Sequence, residues 1–394
     1  MVTRRRFALL GSLAIAFGIV ATAPSCGSGF LDGLSGGTRD GGADAAPSID
    51  APVDARTCSL HRPPLPPPPD VKDSELPGPV ILALDAVRLD DASNVDAAIP
   101  ATVGYDLDLA CTCPEPDTCV LPPDAGATKC DGDGGTDNAL GRMFSYLGSI
   151  FSSEFGPDFA TRRVRKGSYG ALMSLGGWNH EPNDPKVIVA FFLSHGLEGS
   201  VDGGKAIPQL DGNDVWTVDP ASVQNGEANL GADCSQAVEQ CFPLYVSREA
   251  YVVDGTLVAR MNIPFALSTS AGRITIDLED VVLTGKLTPS GTGFRIDGEF
   301  VGRWPVNRVL KALAQVPVND QPLCEQAAFF EVARQEVCSA VDIASSPSSD
   351  HAGKPCDALS AAIRYSGGSA KVGRVFRPDQ GPPPCEQFVA ECPK

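Results

Sequence analysis

From Tyr251 to Trp304 the chain alternates apolar and polar residues almost without a break, and this run constrains the fold more than any other. Leu257, Ala259, Met261, Ile263, Phe265 and Leu267 fall on one face, and Ile274, Ile276 and Leu278 continue it against Arg273, Thr275 and Asp277. A period of two belongs to a strand with one buried face. Asp254-Gly255 suits a two-residue hairpin turn, and residues 290–293 suit a second. The segment therefore reads as an antiparallel meander with one wet face. Apolar runs at 80–84, 171–175 and 187–193 add further strands. With 34 prolines and 41 glycines, a helical bundle is excluded. The expected fold is mainly β: an antiparallel β-sandwich or jelly-roll-like domain with a few short helices and a disulfide-bonded C-terminal tail.

Several local expectations go with it. Tyr105, Leu107, Leu109 and Cys111 alternate with Asp106, Asp108 and Ala110, as in a half-exposed strand. A helix over 138–151, capped by Thr136 or Asp137, would bury Leu140, Met143, Phe144, Leu147, Ile150 and Phe151. A short amphipathic helix is expected around Val306–Leu313, and a second from Cys324 to Cys338. Leu359, Ala361, Ile363 and Tyr365 alternate, which predicts a hairpin turning at Ser366-Gly367-Gly368.

The N-terminus is an address. A positive head, an apolar middle and a small-residue end read as an export signal over residues 1–25. Thr3-Arg4-Arg5-Arg6-Phe7-Ala8-Leu9 resembles the twin-arginine export pattern, with Arg4, Arg5 and Phe7 as its marks. The general secretory route is the alternative. Ala23-Pro24-Ser25-Cys26 resembles a bacterial lipobox, which would make Cys26 the acylated residue. Residues 26–76 then form a tether and a proline-rich spacer, because the Gly, Ala, Ser and Asp of 27–57 cannot bury enough surface to order themselves. The proline run from Pro63 to Pro69 is expected to be a stiff polyproline II segment. A β-rich domain over 77–320 and a cysteine-rich segment over 321–394, packed on it, complete the organisation.

Thirteen cysteines are an odd number, and lipidation of Cys26 would leave twelve for disulfides. Those candidates are Cys58, Cys111, Cys113, Cys119, Cys130, Cys234, Cys241, Cys324, Cys338, Cys356, Cys385 and Cys392. Cys111 and Cys113 lie too far apart on a strand to join each other, so each is expected to take Cys119 or Cys130. Cys234 and Cys241 would close a small loop. Cys324 and Cys338, at opposite ends of one helix, would reach to Cys356, Cys385 or Cys392. Cys58 is expected to tie the start of the domain to its tail. Zinc is disfavoured, because C-x-x-C pairs and nearby histidines are both missing.

Forty-nine acidic residues against 31 basic ones give a net charge of −18, and loss of the signal makes it more negative. Such a surface repels phosphate, so nucleic acid is excluded as a partner. Membrane contact would come through the lipid. Gly33-Leu34-Ser35-Gly36-Gly37 matches a nucleophile elbow in letters only, since no strand or helix flanks it. His180-Glu181 lacks the second histidine of a zinc protease. His195 reads as structural.

Two acidic groupings remain. Asp106 and Asp108 are two apart, and Asp131, Asp133, Asp137 and Asn138 sit among glycines. Oxygen ligands at such spacing suit calcium, the one candidate cofactor. Trp178 and Trp216, in loops rich in Asp and Asn, are candidates for ligand contact with a glycan. The arrangement of signal, tether, proline run and scattered cysteines resembles the cysteine-rich surface lipoproteins of predatory and social soil bacteria. That resemblance implies an exported, lipid-anchored protein of the bacterial outer membrane or cell surface, and no activity. A non-catalytic binding or surface-structural role, calcium-stabilised or glycan-binding, is the expected function, with a glycan or an envelope protein as partner. The alternative is an envelope hydrolase working through paired carboxylates.

Overall fold

The first and last strands of the main sheet in chain order meet to close it. In the computed structural model, β1 (Val80–Arg88) pairs on one side with β2 (Gly170–Gly176) and on the other with β11 (Ala358–Ser369), so that Leu82 lies opposite both Met173 and Ser369. Between them run β3 (Asp184–Ser194), β5 (Tyr245–Val253), β6 (Thr256–Ser268), β7 (Arg273–Ser290) and β8 (Gly293–Pro305). The order β1-β11-β8-β7-β6-β5-β3-β2 is a closed eight-stranded antiparallel barrel. The structure describes residues 60–68, 71, 78–89, 101–112, 117–123, 130–144, 159–201, 206–235, 241–268, 273–318, 321–377, 385 and 388–392. The export signal with Arg4, Arg5 and Phe7, the anchor Cys26, Cys58, Cys113 and the far half of the helix expected at 138–151 lie outside these residues.

The barrel replaces the expected sandwich or jelly roll. Both architectures use the same inward–outward alternation, and they differ only in whether the sheet has edges. Closure depends on β1 meeting β11, a contact between residues almost three hundred apart that no local pattern records. The segment over 321–394 is accordingly not just a tail laid on the domain, because it supplies a strand of the barrel wall.

The meander at 251–304 forms β5 to β8. Asp254 (φ 47°) and Gly255 (φ 72°) both adopt the left-handed conformation that a type I′ hairpin needs. Eight strands enclose a space that side chains can fill. Here rings fill it. Phe300 stacks on Tyr365 at 4.2 Å and meets Phe191 at 5.7 Å and Phe265 at 5.9 Å. Tyr365 lies over Gly285 and Gly298, which face each other across β7 and β8. A Cβ on Gly285 would come 2.7 Å from the tyrosine hydroxyl, so the glycine pair makes the slot for the ring. The hydroxyl donates to the Thr284 carbonyl at 2.9 Å.

The expected hairpin at 366–368 does not form. β11 continues through Gly367, which is paired with Leu84 on one side and Ile296 on the other. Two flanking ladders outweigh the turn preference of Ser-Gly-Gly. The chain bends only at Ala370, and β12 (Lys371–Val375) then pairs in parallel with β4 (Val215–Val218). A two-residue pair, β9 (Pro317–Val318) and β10 (Gln321–Pro322), lies between helices.

Among the described residues, three further helices accompany those at 139–144 and Glu198–Val201. α1 spans Phe159–Arg165. α2 (Val306–Ala314) buries Val309, Leu310 and Leu313, as its spacing predicts. α3 (Ala327–Ala340) starts later than expected, leaving Cys324 in a 3-10 turn ahead of it. Among the described residues no helix is long and apolar enough to cross a membrane.

Cys234 bonds Cys241, Cys324 bonds Cys385 and Cys338 bonds Cys392. Cys119 bonds Cys356, 237 residues away, rather than Cys111 or Cys113. The segment carrying Cys119 runs beside Pro355, where Val120 forms a bridge, and this proximity decides the partner. The five C-terminal cysteines are thus all engaged without Cys58. Cys111 and Cys130 are disulfide-bonded as well. Disulfides in this number imply an oxidising, extracytoplasmic compartment.

The start of the proline run is not a free spacer. Residues 60–68 are extended along the barrel, with Pro67 buried and the Tyr251 hydroxyl donating to the Pro64 carbonyl at 2.5 Å.

Candidate functional site

Residues 101–112 cross the outside of the barrel over β7, β8 and β11. Val103 and Tyr105 pack on Val282, Val301 and Ala362, which are adjacent in register. The Tyr105 hydroxyl lies 3.1 Å from Thr284 Oγ1, and the Gly104 N–H donates to Glu299 Oε2 at 3.1 Å. The segment is irregular, not the strand expected from its alternation. Its aspartates bond their own backbone: the Leu109 N–H donates to Asp106 Oδ1 at 2.6 Å and the Ala110 N–H to Asp108 Oδ1 at 3.1 Å. Such turns compete with strand pairing. They also break the expected alternation, although Tyr105 and Cys111 are buried as expected. Leu109, at φ 65°, is 56% exposed, while Asp106 and Asp108 are 6% and 4% exposed.

The second acidic segment, 130–138, folds back onto the first. Gly135 (φ 78°) sits against the Ala110 carbonyl and 3.2 Å from Asp106 Cγ where a Cβ would stand, so only glycine permits the approach. Asp137 then accepts the Leu107 N–H at 2.8 Å, and Asp131 accepts the Thr112 N–H at 2.7 Å. Asp106, Asp108 and Asp137 each place one carboxylate oxygen within 4.8 Å of the other two, and all three residues are buried. Thr118 Oγ1 donates to Asp108 Oδ2 at 2.6 Å. Asp106 Oδ2 is buried and finds no hydrogen-bond partner among the described residues.

Fixed groups hold the cluster in place. The guanidinium of Arg303, fully buried on β8, forms a two-point pair with Asp350 (3.0 and 2.6 Å) and donates to the carbonyls of Ala344 (2.6 Å) and Leu107 (2.7 Å). His351 Nε2 lies 2.9 Å from the Asp108 carbonyl. Arg303 is neutralised by Asp350, so it leaves the cluster strongly acidic.

The carboxyls respond as crowded buried acids do. Burial pushes Asp106 up to about 6, against the opposing pull of the Leu109 N–H. Burial, partly offset by the Thr112 N–H and reinforced by Asp108 and Asp342, pushes Asp131 up to about 7. Asp137 is raised well above the usual carboxylate range by burial first, then by Asp131, Asp108 and Asp342.

Of the residues expected to bind calcium, Asp106, Asp108 and Asp137 converge and Asp131 lies beside them. Asp133 does not join them, since its side chain is exposed and only its carbonyl is engaged, by Thr136. Asn138 serves the fold instead. Its Oδ1 accepts the N–H of Gly141, capping the helix at 139–144, and that of Ala362 on β11. The cap is therefore Asn138, not Thr136 or Asp137. Asp342 was not among the sequence candidates. It stands near the acids in space while accepting the Ser360 N–H at 2.8 Å, and nothing in its local sequence marks it.

Trp178 and Trp216 are 4% and 0% exposed, so neither offers a face to a sugar. Trp178 packs on Phe294 at 4.7 Å and His180 at 5.0 Å, and its indole N–H donates to the Glu181 carbonyl. Trp216 sits against Gly170. His195 pairs with Asp219 at 3.1 Å. A cleft of about 760 Å³ opens elsewhere, between Leu121, Pro123, Val306, Arg308, Asp357 and Ala390. Two of its acids are engaged, Glu279 with Arg308 and Asp357 with Ser345.

No protein family, curated protein or solved structure matches this chain.

Proposed function

We propose that this chain is a non-catalytic protein of the bacterial cell envelope, anchored through an acylated Cys26, whose barrel is stabilised by a divalent cation held by Asp106, Asp108 and Asp137. The observation that carries the cation reading is Asp106 Oδ2, a buried carboxylate oxygen without a partner among the described residues, beside two other buried carboxylates. An isolated buried carboxylate is among the costliest groups a fold can contain. A cation removes that cost for all three at once.

Calcium suits the site better than magnesium. It accepts six to eight oxygens in flexible geometry, whereas magnesium demands a near-ideal octahedron and keeps its waters. Asp108 and Asp137 already accept N–H or O–H donors, so the ligand directions are set by the loops and not by an octahedron. Asp131 is the candidate for a further ligand. The envelope hydrolase is disfavoured, because the clustered acids are buried and closer together than the carboxylates of a glycosidase.

Scanning calorimetry of the oxidised protein tests this reading. Extracellular calcium modules bind at about 10⁻⁴ to 10⁻³ M. Five millimolar calcium over EGTA is then expected to add about 1–2 kcal/mol, or roughly 2–6 °C. Magnesium should give less than half of that. Identical transitions in calcium and EGTA would remove the cation from the account.

A further inference from the structure

We infer that the cation is the latch of a strap: with calcium at Asp106, Asp108 and Asp137, residues 60–68 lie along the barrel, and without it they detach at His61. This rests on the cation reading above. The strap cannot pair as a strand, because the prolines at 63, 64, 66, 67 and 68 offer no N–H. Besides the burial of Pro67, hydrogen bonds hold it at two points. One is the Tyr251 hydroxyl on Pro64. The other is His61, whose two backbone bonds go to the two acidic loops, one to each.

The His61 N–H donates to the Gly134 carbonyl at 2.7 Å, and the His61 carbonyl accepts the Asp106 N–H at 2.9 Å. The His61 ring rests 4.9 Å from the Tyr105 ring, and Thr136 Oγ1 lies 3.4 Å from His61 Nδ1. Every one of these partners belongs to 105–106 or 134–136. Thr136 immediately precedes Asp137 and Gly134 lies three residues before it, and Asp106 is itself one of the three clustered acids. A cation between Asp106 and Asp137 therefore holds together the two backbones that His61 bridges. When it leaves, the two loops lose that bridge and separate more readily, and His61 cannot keep both bonds. A detached strap can extend to about 28 Å as polyproline II.

Hydrogen–deuterium exchange with residue-level fragmentation, on the full oxidised chain in calcium and in EGTA, tests the latch, with calorimetric titration of CaCl₂ run beside it. The His61 amide should exchange at least tenfold faster in EGTA, while amides of β7 and β8 change less than twofold. In Asp106→Asn, which keeps an Oδ1 acceptor for Leu109, His61 should exchange equally fast in both buffers. If calcium binds and His61 exchange does not change, or if β7 and β8 loosen equally, the latch is wrong and the cation reading stands. If no calcium binds, the cation reading fails and the latch with it.

Discussion

The inside of the barrel and the acidic patch on its outside share β8 and β11 and solve burial in opposite ways. Inside, Phe300, Tyr365, Phe191 and Phe265 fill the space ring against ring, and the Tyr365 hydroxyl finds a carbonyl. The polar atoms left over there are neutral, such as the indole N–H of Trp304. An unpaired neutral donor costs about 1–3 kcal/mol. Outside, over Val282, Val301 and Ala362, the chain buries charged groups instead, and the atoms left over among the described residues are Asp106 Oδ2 and Arg303 Nε. The interior is complete on its own. The patch requires a proton or a cation from solution, and that requirement turns a piece of packing into a candidate site.

The largest expected effect breaks the interior alone. Phe300→Ala removes the ring at the centre of the cluster and should cost about 3–5 kcal/mol, measured by urea unfolding, with the calcium increment unchanged. Next, Arg303→Ala leaves Asp350 buried without its partner and frees the Leu107 carbonyl. A loss of about 3 kcal/mol is expected, and because Leu107 is tied to Asp137, calcium affinity should fall as well. Asp137→Asn acts in the other direction. It relieves repulsion and can donate to Asp106, so the calcium-free protein should gain about 1 kcal/mol while losing its response to calcium.

A pH series sharpens the contrast further. Asp106 and Asp131 are raised in the fold to about 6 and about 7. Acids raised on folding contribute stability that is fully present below the unfolded value near 4 and is lost as pH rises through the folded values. Calcium-free protein should therefore lose stability between pH 5 and pH 8, and calcium should flatten that decline. The smallest effect is expected at Asp133. Asp133→Asn should shift stability by less than about 0.5 kcal/mol and leave calcium binding intact, because its side chain is exposed.

What the sequence made legible follows the range of the physics. The strands from Tyr251 to Trp304 were readable because side-chain alternation is a local consequence of the pleat. The same local logic misread 105–111, where aspartates bonding their own backbone override the alternation, and 366–368, where neighbours on both sides hold Gly367 in a strand. Barrel closure and the Cys119–Cys356 bond depend on contacts across more than two hundred residues, and no window of sequence contains both partners. The acids divide along the same line. Asp106, Asp108 and Asp137 were identifiable from spacing and glycines. The dismissal of Asp133, the capping role of Asn138 and the approach of Asp342 required the loops in place. Trp178 and Trp216 misled because polar neighbours in sequence did not mean exposure in space.

The central claim is that the patch is completed by a cation on Asp106. Isothermal titration of CaCl₂ into the full, oxidised, chelator-treated protein, beside Asp106→Asn, tests it most directly. The account predicts one site with proton release on binding, since the ligands must deprotonate, and at least tenfold weaker binding in Asp106→Asn. No heat at millimolar calcium, or equal affinity in the two proteins, would contradict it.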